Sequence, residues 1–362
     1  MRKKLPLQTR VDRTEFGDAV RPEENSARTK RLRARLYGPQ ILYSYGILLF
    51  LFILCVFFQI ETDGTFLTLR NLSNVLRQSS VNTILGVGMT MVIITGGIDL
   101  SVGAVLALAG VLSTAIIMRG FPPPFPFPSD VAMTPAWPLA ASAPVAIAVA
   151  ALVGALCGVH NTIPIIKLRV PPFIATLAMF SIARGFAYIY VGGGQVGNLP
   201  PEFTRVVGEG PLMPVVAIST VVVGHIMLTK TRFGRSIYAV GGNEQAAHLS
   251  GINVSKVKFW VYVICGFLAG IAGLLLAGRL GAGDPKSGLS YELNAIAAVV
   301  LGGTSLMGGV GTVTGTLLGA VVIGSLEAGL GLMGVPWFVQ MVVKGYVILM
   351  AVVVDQTKKR SC

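Results

Sequence analysis

Charge is scarce in this sequence: 12% of its 362 residues are Asp, Glu, Lys or Arg, where a soluble domain carries about 25%. Hydrophobic residues make up 53% and the mean hydropathy is +0.72, which excludes an ordinary water-soluble fold. Cysteine is equally sparse. Cys55, Cys157, Cys265 and Cys362 stand far apart with no C-x-x-C spacing, so neither a disulfide framework nor a thiolate metal site follows. His160, His225 and His248 share no ligand spacing. The GxxxxGK[ST] pattern is missing, as is any paired carboxylate or nucleophile with a base at usable spacing. Catalytic, cofactor-binding and metal residues are therefore all expected to be none.

What fills the chain instead is aliphatic. Runs long enough to cross about 30 Å of hydrocarbon recur along nearly the whole length. They lack the alternation of barrel strands, so the expected fold class is all-α, a polytopic membrane protein. Ten spanning helices are expected at roughly 40–60, 77–96, 100–118, 139–161, 172–191, 211–230, 257–279, 290–307, 311–331 and 336–354, each end placed to about 2–4 residues. Residues 38–357 are expected to form one transmembrane domain between a basic tail, 1–37, expected to be disordered, and a short end, 358–362. Residues 119–138, rich in proline, cannot build a regular helix, because each proline lacks an N–H and fixes φ.

The net charge of +13 does not point to nucleic acid. Eleven of the 29 Lys and Arg residues crowd into residues 1–37, where basic groups orient a membrane protein and touch lipid headgroups. Counted over the ten-span layout with the N-terminus inside, 21 basic residues fall inside and six outside. The positive-inside rule then puts both termini in the cytoplasm.

Four local features carry chemistry. The turn Thr95–Gly103 holds Gly96, Gly97, Asp99 and Ser101 between two apolar runs. Two glycines let the backbone leave the helix, and Asp99 is expected to cap the next helix through its free N–H groups. A second break, Leu301–Gly311, carries Gly302, Gly303, Thr304 and Ser305, and beyond it Gly315 and Gly319 make a small-residue face for close helix packing. Such breaks are how transporters bring backbone polar groups to a passing substrate, so both are candidates for the translocation path. The loop 231–256 holds a short helix, with Asn243 as N-cap, Glu244 in the first turn and Gly251 beyond the C-terminus. Finally, Arg184, Glu327 and Lys344 fall inside apolar runs, where each must face the bundle interior or snorkel. Glu327 and Lys344, on consecutive spans, are positioned to pair. The interfacial Trp137, Trp260 and Trp337 fit an aromatic belt.

In order along the chain, GMTMVIITGGIDLSVGAVLALAG (Gly88–Gly110), PPFIATLAMFSIARGFAYIYVGGG (Pro171–Gly194), GRSIYAVGGNEQAAHLSGINV (Gly234–Val254) and AVVLGGTSLMGGVGTVTGTLLGA (Ala298–Ala320) resemble the permease subunits of bacterial ABC importers for monosaccharides. These are the ribose, xylose and galactose type within the branched-chain amino acid/ribose permease superfamily. The likeness runs from about Leu69 to Asp355. It implies a bacterial inner-membrane subunit that pairs with a second permease copy or a paralogue. It further implies docking of separate ABC ATPase subunits and receipt of a monosaccharide from an external solute-binding protein. By resemblance, the loop containing Gly234, Arg235, Gly241, Asn243, Ala246, Ala247, Ser250 and Gly251 is the ATPase-coupling loop. The proline-rich outer loop and the long basic tail depart from the family's pattern. The competing expectation is a secondary sugar transporter coupled to ions through Asp99, Glu327 or Lys344; an intramembrane enzyme is the weakest.

Overall fold

A computed structural model of the chain describes residues 46–121, 125 and 138–360. The basic tail 1–37 and most of the proline-rich segment lie outside the described residues, as do the expectations attached to them. Every regular element described is helical: α1 (Gly46–Glu61), α2 (Leu69–Ile94), α3 (Val102–Arg119), α4 (Leu139–Thr162), α5 (Pro172–Tyr190), the single turn α6 (Pro201–Phe203), α7 (Leu212–Lys230), α8 (Arg232–Gly242), α9 (Glu244–Leu249), α10 (Val254–Leu280), α11 (Tyr291–Leu301), α12 (Val313–Leu332) and α13 (Trp337–Arg360). Among the described residues, α3, α4, α5, α7, α10 and α12 are long and apolar enough to cross a membrane, and α1, α11 and part of α13 form shorter apolar helices.

The centre of the bundle is α2. Its residues from Ser79 to Ile94 are buried without interruption, enclosed by α7, α10, α11 and α12. It starts eight residues before the expected span, because Thr68 caps it by accepting from the Asn71 N–H, and Arg70, Asn71, Asn74 and Arg77 make its first turns look like a loop in hydropathy. At 26 residues it is about 39 Å long.

Close helix packing here rests on glycine set against backbone. A Cβ on Gly154 of α4 would overlap the Gly266 carbonyl of α10, and one on Gly270 would overlap the Ala150 carbonyl. The two helices therefore approach as small-xxx-small faces, where dispersion replaces the hydrophobic effect that lipid cannot supply. The expected face on α12 behaves the same way: Gly315 sits on the Gly302 carbonyl and Gly319 on that of Ala298.

Large apolar side chains remain bare on the outside, such as Phe52 and Ile60 of α1, Val223 of α7 and Trp337 and Met350 of α13. Water would not tolerate faces of this extent, and a bilayer requires them. The chain is a multi-pass membrane protein.

One expected span is corrected. In place of a helix over 290–307, α11 has eleven residues, about 16 Å and half of the hydrocarbon core. It is entered through Gly281–Ser290, whose Gly283 packs against Val111 and Thr114 of α3 while Gly288 packs against the Gly103 carbonyl. Gly103 and Val111 lie eight residues apart on α3, so the segment doubles back about 12 Å along it. Left-handed Gly281, Gly288 and Ser290 permit the reversal. A hydropathy reading cannot see this re-entry, because Tyr291–Leu301 and the glycines after it remain apolar throughout.

Candidate functional site

The loop between α7 and α10 holds two helices where the sequence suggested one. Thr231 ends α7 and starts α8: its hydroxyl donates to the Met227 carbonyl at 2.6 Å and accepts from the Gly234 N–H at 3.1 Å. Gly234, Ile237 and Val240 turn inward and are buried, so α8 is an amphipathic helix laid on the end of the bundle. Asn243 then caps α9 as expected, accepting from the Ala246 N–H at 2.9 Å, and Gly251 takes the left-handed position after it (φ +83°). Asn253 caps α10 through the Lys256 N–H at 2.9 Å. A bridge from Lys258 to Glu244, 2.8 Å, links α9 to α10; exposed as it is, it contributes about 0–1 kcal/mol.

Three features that are far apart in sequence meet at this helix pair. The Gly309 N–H donates to the Ile94 carbonyl at 2.9 Å, joining the second break to the end of α2. The Tyr238 hydroxyl donates to the Gly311 carbonyl at 2.7 Å, joining α8 to the second break. Gly241, at the end of α8, fits between them: a Cβ there would overlap the Ile94 carbonyl and come within 2.6 Å of the Gly309 nitrogen. A Cβ on Gly308 would lie 2.9 Å from the Ile94 carbonyl oxygen, 3.0 Å from that of Gly241 and 3.1 Å from the Gly96 nitrogen. Both breaks therefore bear on α8 through bare backbone. Burial pushes the Tyr238 phenol above its ordinary pKa, so the hydroxyl keeps its proton and stays a donor well past neutral pH. Tyr238→Phe is expected to cost about 1 kcal/mol of stability, measurable as a lowered unfolding midpoint in detergent.

The first break is held from three sides. Asp99, 1% exposed, accepts from the Ser101 N–H at 2.9 Å and the Ser101 hydroxyl at 2.5 Å. Asn161 of α4 donates to the same hydroxyl at 3.0 Å, and the Leu100 N–H donates to Thr176 of α5 at 3.1 Å. Gly97 rests against the Tyr262 hydroxyl of α10. This corrects the expected cap: Ser101 is the N-cap of α3 and makes no side-chain cap bond. Asp99 closes a local turn onto Ser101 instead, since a side chain two residues upstream reaches that N–H before those of the first helical turn.

Gly302 packs against Gly315 and the N-terminus of α12, Gly303 is left-handed (φ +85°), and Thr304 and Ser305 are buried. Of the residues on the α8–α9 loop, Arg235, Asn243, Ala246, Ser250 and Gly251 are exposed to solvent, whereas Gly241 and Ala247 face the bundle. Any protein touching this surface meets the first group and not the last two. It also meets Leu249, 86% exposed at the end of α9, which the sequence places with Ala246, Ala247 and Ser250 on a face open to another protein.

Of the three charges expected within apolar runs, Arg184 is buried and Glu327 and Lys344 are partly buried. Arg184 is 9% exposed. Glu327 and Lys344 form an ion pair of 2.9 Å, and Glu327 also accepts from Asn294 at 2.8 Å and Gln78 at 2.5 Å. Gln78 in turn accepts from Arg279, which donates to Asn74 at 2.9 Å. The network ties α2, α10, α11, α12 and α13 together. Sequence alone offered Glu327 and Lys344 but not Asn74, Gln78, Asn294 or Arg279, which are ordinary polar residues until the helices bring them together. Among the described residues no group of three or more His, Cys, Asp or Glu is placed to hold a metal ion.

A glycine-lined backbone junction thus lies under a capped helix pair inside a multi-pass helical bundle. Residues 71–352 match the family model described as the branched-chain amino acid transport system / permease component, and the chain belongs to that family. It is 44% identical to the ribose import permease protein RbsC of Escherichia coli K12 over 81% of this chain and 88% of that protein. The RbsC protein of Bacillus subtilis 168 is 42% identical over 90% and 96% respectively. The xylose transport system permease protein XylH of Escherichia coli K12 is 37% identical over 84% and 90%. No solved structure matches the chain.

Proposed function

We propose that this chain is the membrane-spanning subunit of an ATP-binding-cassette importer that carries a monosaccharide across the bacterial inner membrane. It works with a second permease copy or paralogue, ABC ATPase subunits on its cytoplasmic face and an external solute-binding protein. Similarity to ribose and xylose permeases supports the substrate class. The observation that carries the mechanism is the contact of α8 with both breaks through Ile94, Gly241 and Gly309. A partner that shifts the α8–α9 pair shifts the ends of α2 and α11 with it, because the contacts are backbone to backbone and leave no flexible side chain to absorb the motion. Gly96, Gly97, Asp99, Ser101 and the Gly302–Ser305 turn then change the path between inward-open and outward-open states.

Leu249 is the apolar anchor on the ATPase side, with Ala246 and Ser250 beside it allowing close approach. Leu249→Glu is expected to lower recovery of the co-purified ATPase by about tenfold or more, as truncating or charging a buried interface anchor costs at least about 2 kcal/mol. The permease itself still inserts, since this side chain makes no core contact. Undiminished co-purification would refute the assignment of this face. ATP-driven uptake in vesicles containing all the subunits tests the function itself: uptake that vanadate inhibits is expected, and ATP-independent uptake by the chain alone would overturn the reading. A reporter joined after Lys359 is expected to signal from the cytoplasm in the ten-span layout.

A further inference from the structure

Helices α4 and α10 touch backbone to backbone as far as Gly158, where a Cβ would overlap the Tyr262 carbonyl. One turn further on they part. There α4 widens into a π-helical turn, Ile163–Lys167, at Pro164, which has no N–H to give to a regular helical ladder. The parting leaves a cavity of about 520 Å³ between the two helix ends. Val159, Ile163 and Ile166 from α4 and its π turn, with Phe259 from α10, make an apolar wall, and Lys167 and Lys256 supply the charge.

No carboxylate lines this cavity. Neither lysine belongs to an ion pair among the described residues, where the bridges are Lys258–Glu244 and Lys344–Glu327. Two like charges on one cavity repel, and an anion between them removes the repulsion. The start of α10 acts in the same sense, because its first N–H groups lack intrahelical acceptors and Asn253 takes up only that of Lys256. The wall asks for something else. Ile163 is itself exposed, as is Trp260 beside Phe259, which puts the cavity on the lipid-facing surface at the interfacial level that tryptophan favours. A soluble anion would leave that wall bare, whereas an amphiphile with an anionic head uses both the lysines and the wall.

We propose that this cavity is a binding site for an anionic phospholipid, its phosphate held by Lys167 and Lys256 and the upper part of an acyl chain laid on Val159, Ile163, Ile166 and Phe259. It lies at the end of the bundle that carries α8 and α9, the cytoplasmic end in the proposed topology, where the leaflet surface is negative. A zwitterionic lipid brings an ammonium group of its own to the two lysines and fits less well. The bound lipid steadies the start of α10, the stretch to which the Lys258–Glu244 bridge ties α9. The site does not depend on what the chain transports.

The test titrates the full-length permease, stripped of lipid in an uncharged detergent, with dioleoyl phosphatidylglycerol and counts bound molecules by native mass spectrometry. Phosphatidylglycerol is expected to bind about tenfold or more tighter than dioleoyl phosphatidylethanolamine, and glycerol 3-phosphate at equal concentration is expected not to displace it. Lys167→Gln with Lys256→Gln is expected to weaken phosphatidylglycerol by about thirtyfold, at about 1 kcal/mol for each lysine, and Lys167→Arg with Lys256→Arg to retain it. Lys230→Gln with Arg235→Gln removes equal charge from the same end of the bundle without touching the cavity, and is expected to change the affinity by about twofold or less. Equal affinity for the two lipids, or undiminished binding in the double Lys→Gln protein, would overturn the assignment. So would displacement by glycerol 3-phosphate, which makes the site one for a soluble anion, or an equal loss in the Lys230 and Arg235 variant, which makes the attraction one of diffuse surface charge.

Discussion

Gly241→Val is expected to abolish ATP-driven uptake while the chain still inserts. A Cβ at this position overlaps the Ile94 carbonyl and presses on the Gly309 nitrogen, so α8 must lift away from both breaks. Backbone cannot rotate out of the way as a side chain can. The Tyr238-to-Gly311 hydrogen bond is lost, since it depends on α8 lying flush. In the proposed importer, ATP hydrolysis by the partner then continues without moving the breaks. The measurement is the ratio of sugar transported to ATP hydrolysed in reconstituted vesicles, expected to fall by about a hundredfold or more, the equivalent of at least about 2.7 kcal/mol of coupling. A Gly241→Val protein that transports at the normal ratio would show that the junction transmits nothing. Gly242, one residue on, serves as the control, because a methyl group added there would meet nothing within 4 Å: Gly242→Ala is expected to transport normally.

Glu327→Ala is expected to produce the largest loss of stability. Removing this carboxylate strands Lys344, whose side chain is only 15% exposed, and unties Gln78 and Asn294 at the same stroke. Breaking a buried pair by deleting one partner costs about 3–5 kcal/mol. The expected readout is a lowered midpoint of heat- or SDS-induced unfolding. Replacing both partners by apolar residues, as in Glu327→Leu with Lys344→Met, removes the stranded charge and is expected to recover most of that loss. A single Glu327→Ala change that leaves the midpoint where it was would mean that Lys344 finds water without cost. The same pair has a bearing on the ion-coupled alternative, because a carboxylate already engaged by a lysine and two amides is a brace between helices.

Features governed by residues near one another in the chain were legible in advance. Asn243 three residues before an N–H it can accept from, and Gly251 where a left-handed residue ends a helix, specify α9 without reference to the rest of the fold. Gly315 and Gly319 announce a close helix approach by spacing alone. Helix α8 escaped notice because Gly234, Gly241 and Gly242 lower its propensity, and only the bundle surface against Ile237 and Val240 makes it form. The re-entrant entry to α11 escaped for a different reason: hydropathy measures apolar length and is blind to direction.

The sequence by itself determined that this protein lives in a bilayer, where its helices break and which short helix is capped, since solvent preference and capping are set within a few residues. Only the tertiary structure decided that Ile94, Gly241 and Gly309 share one junction and that Gln78, Asn294 and Lys344 converge on Glu327. Those partners lie tens to hundreds of residues apart, and what brings them together is the packing of whole helices, glycine against backbone, which local preference does not encode.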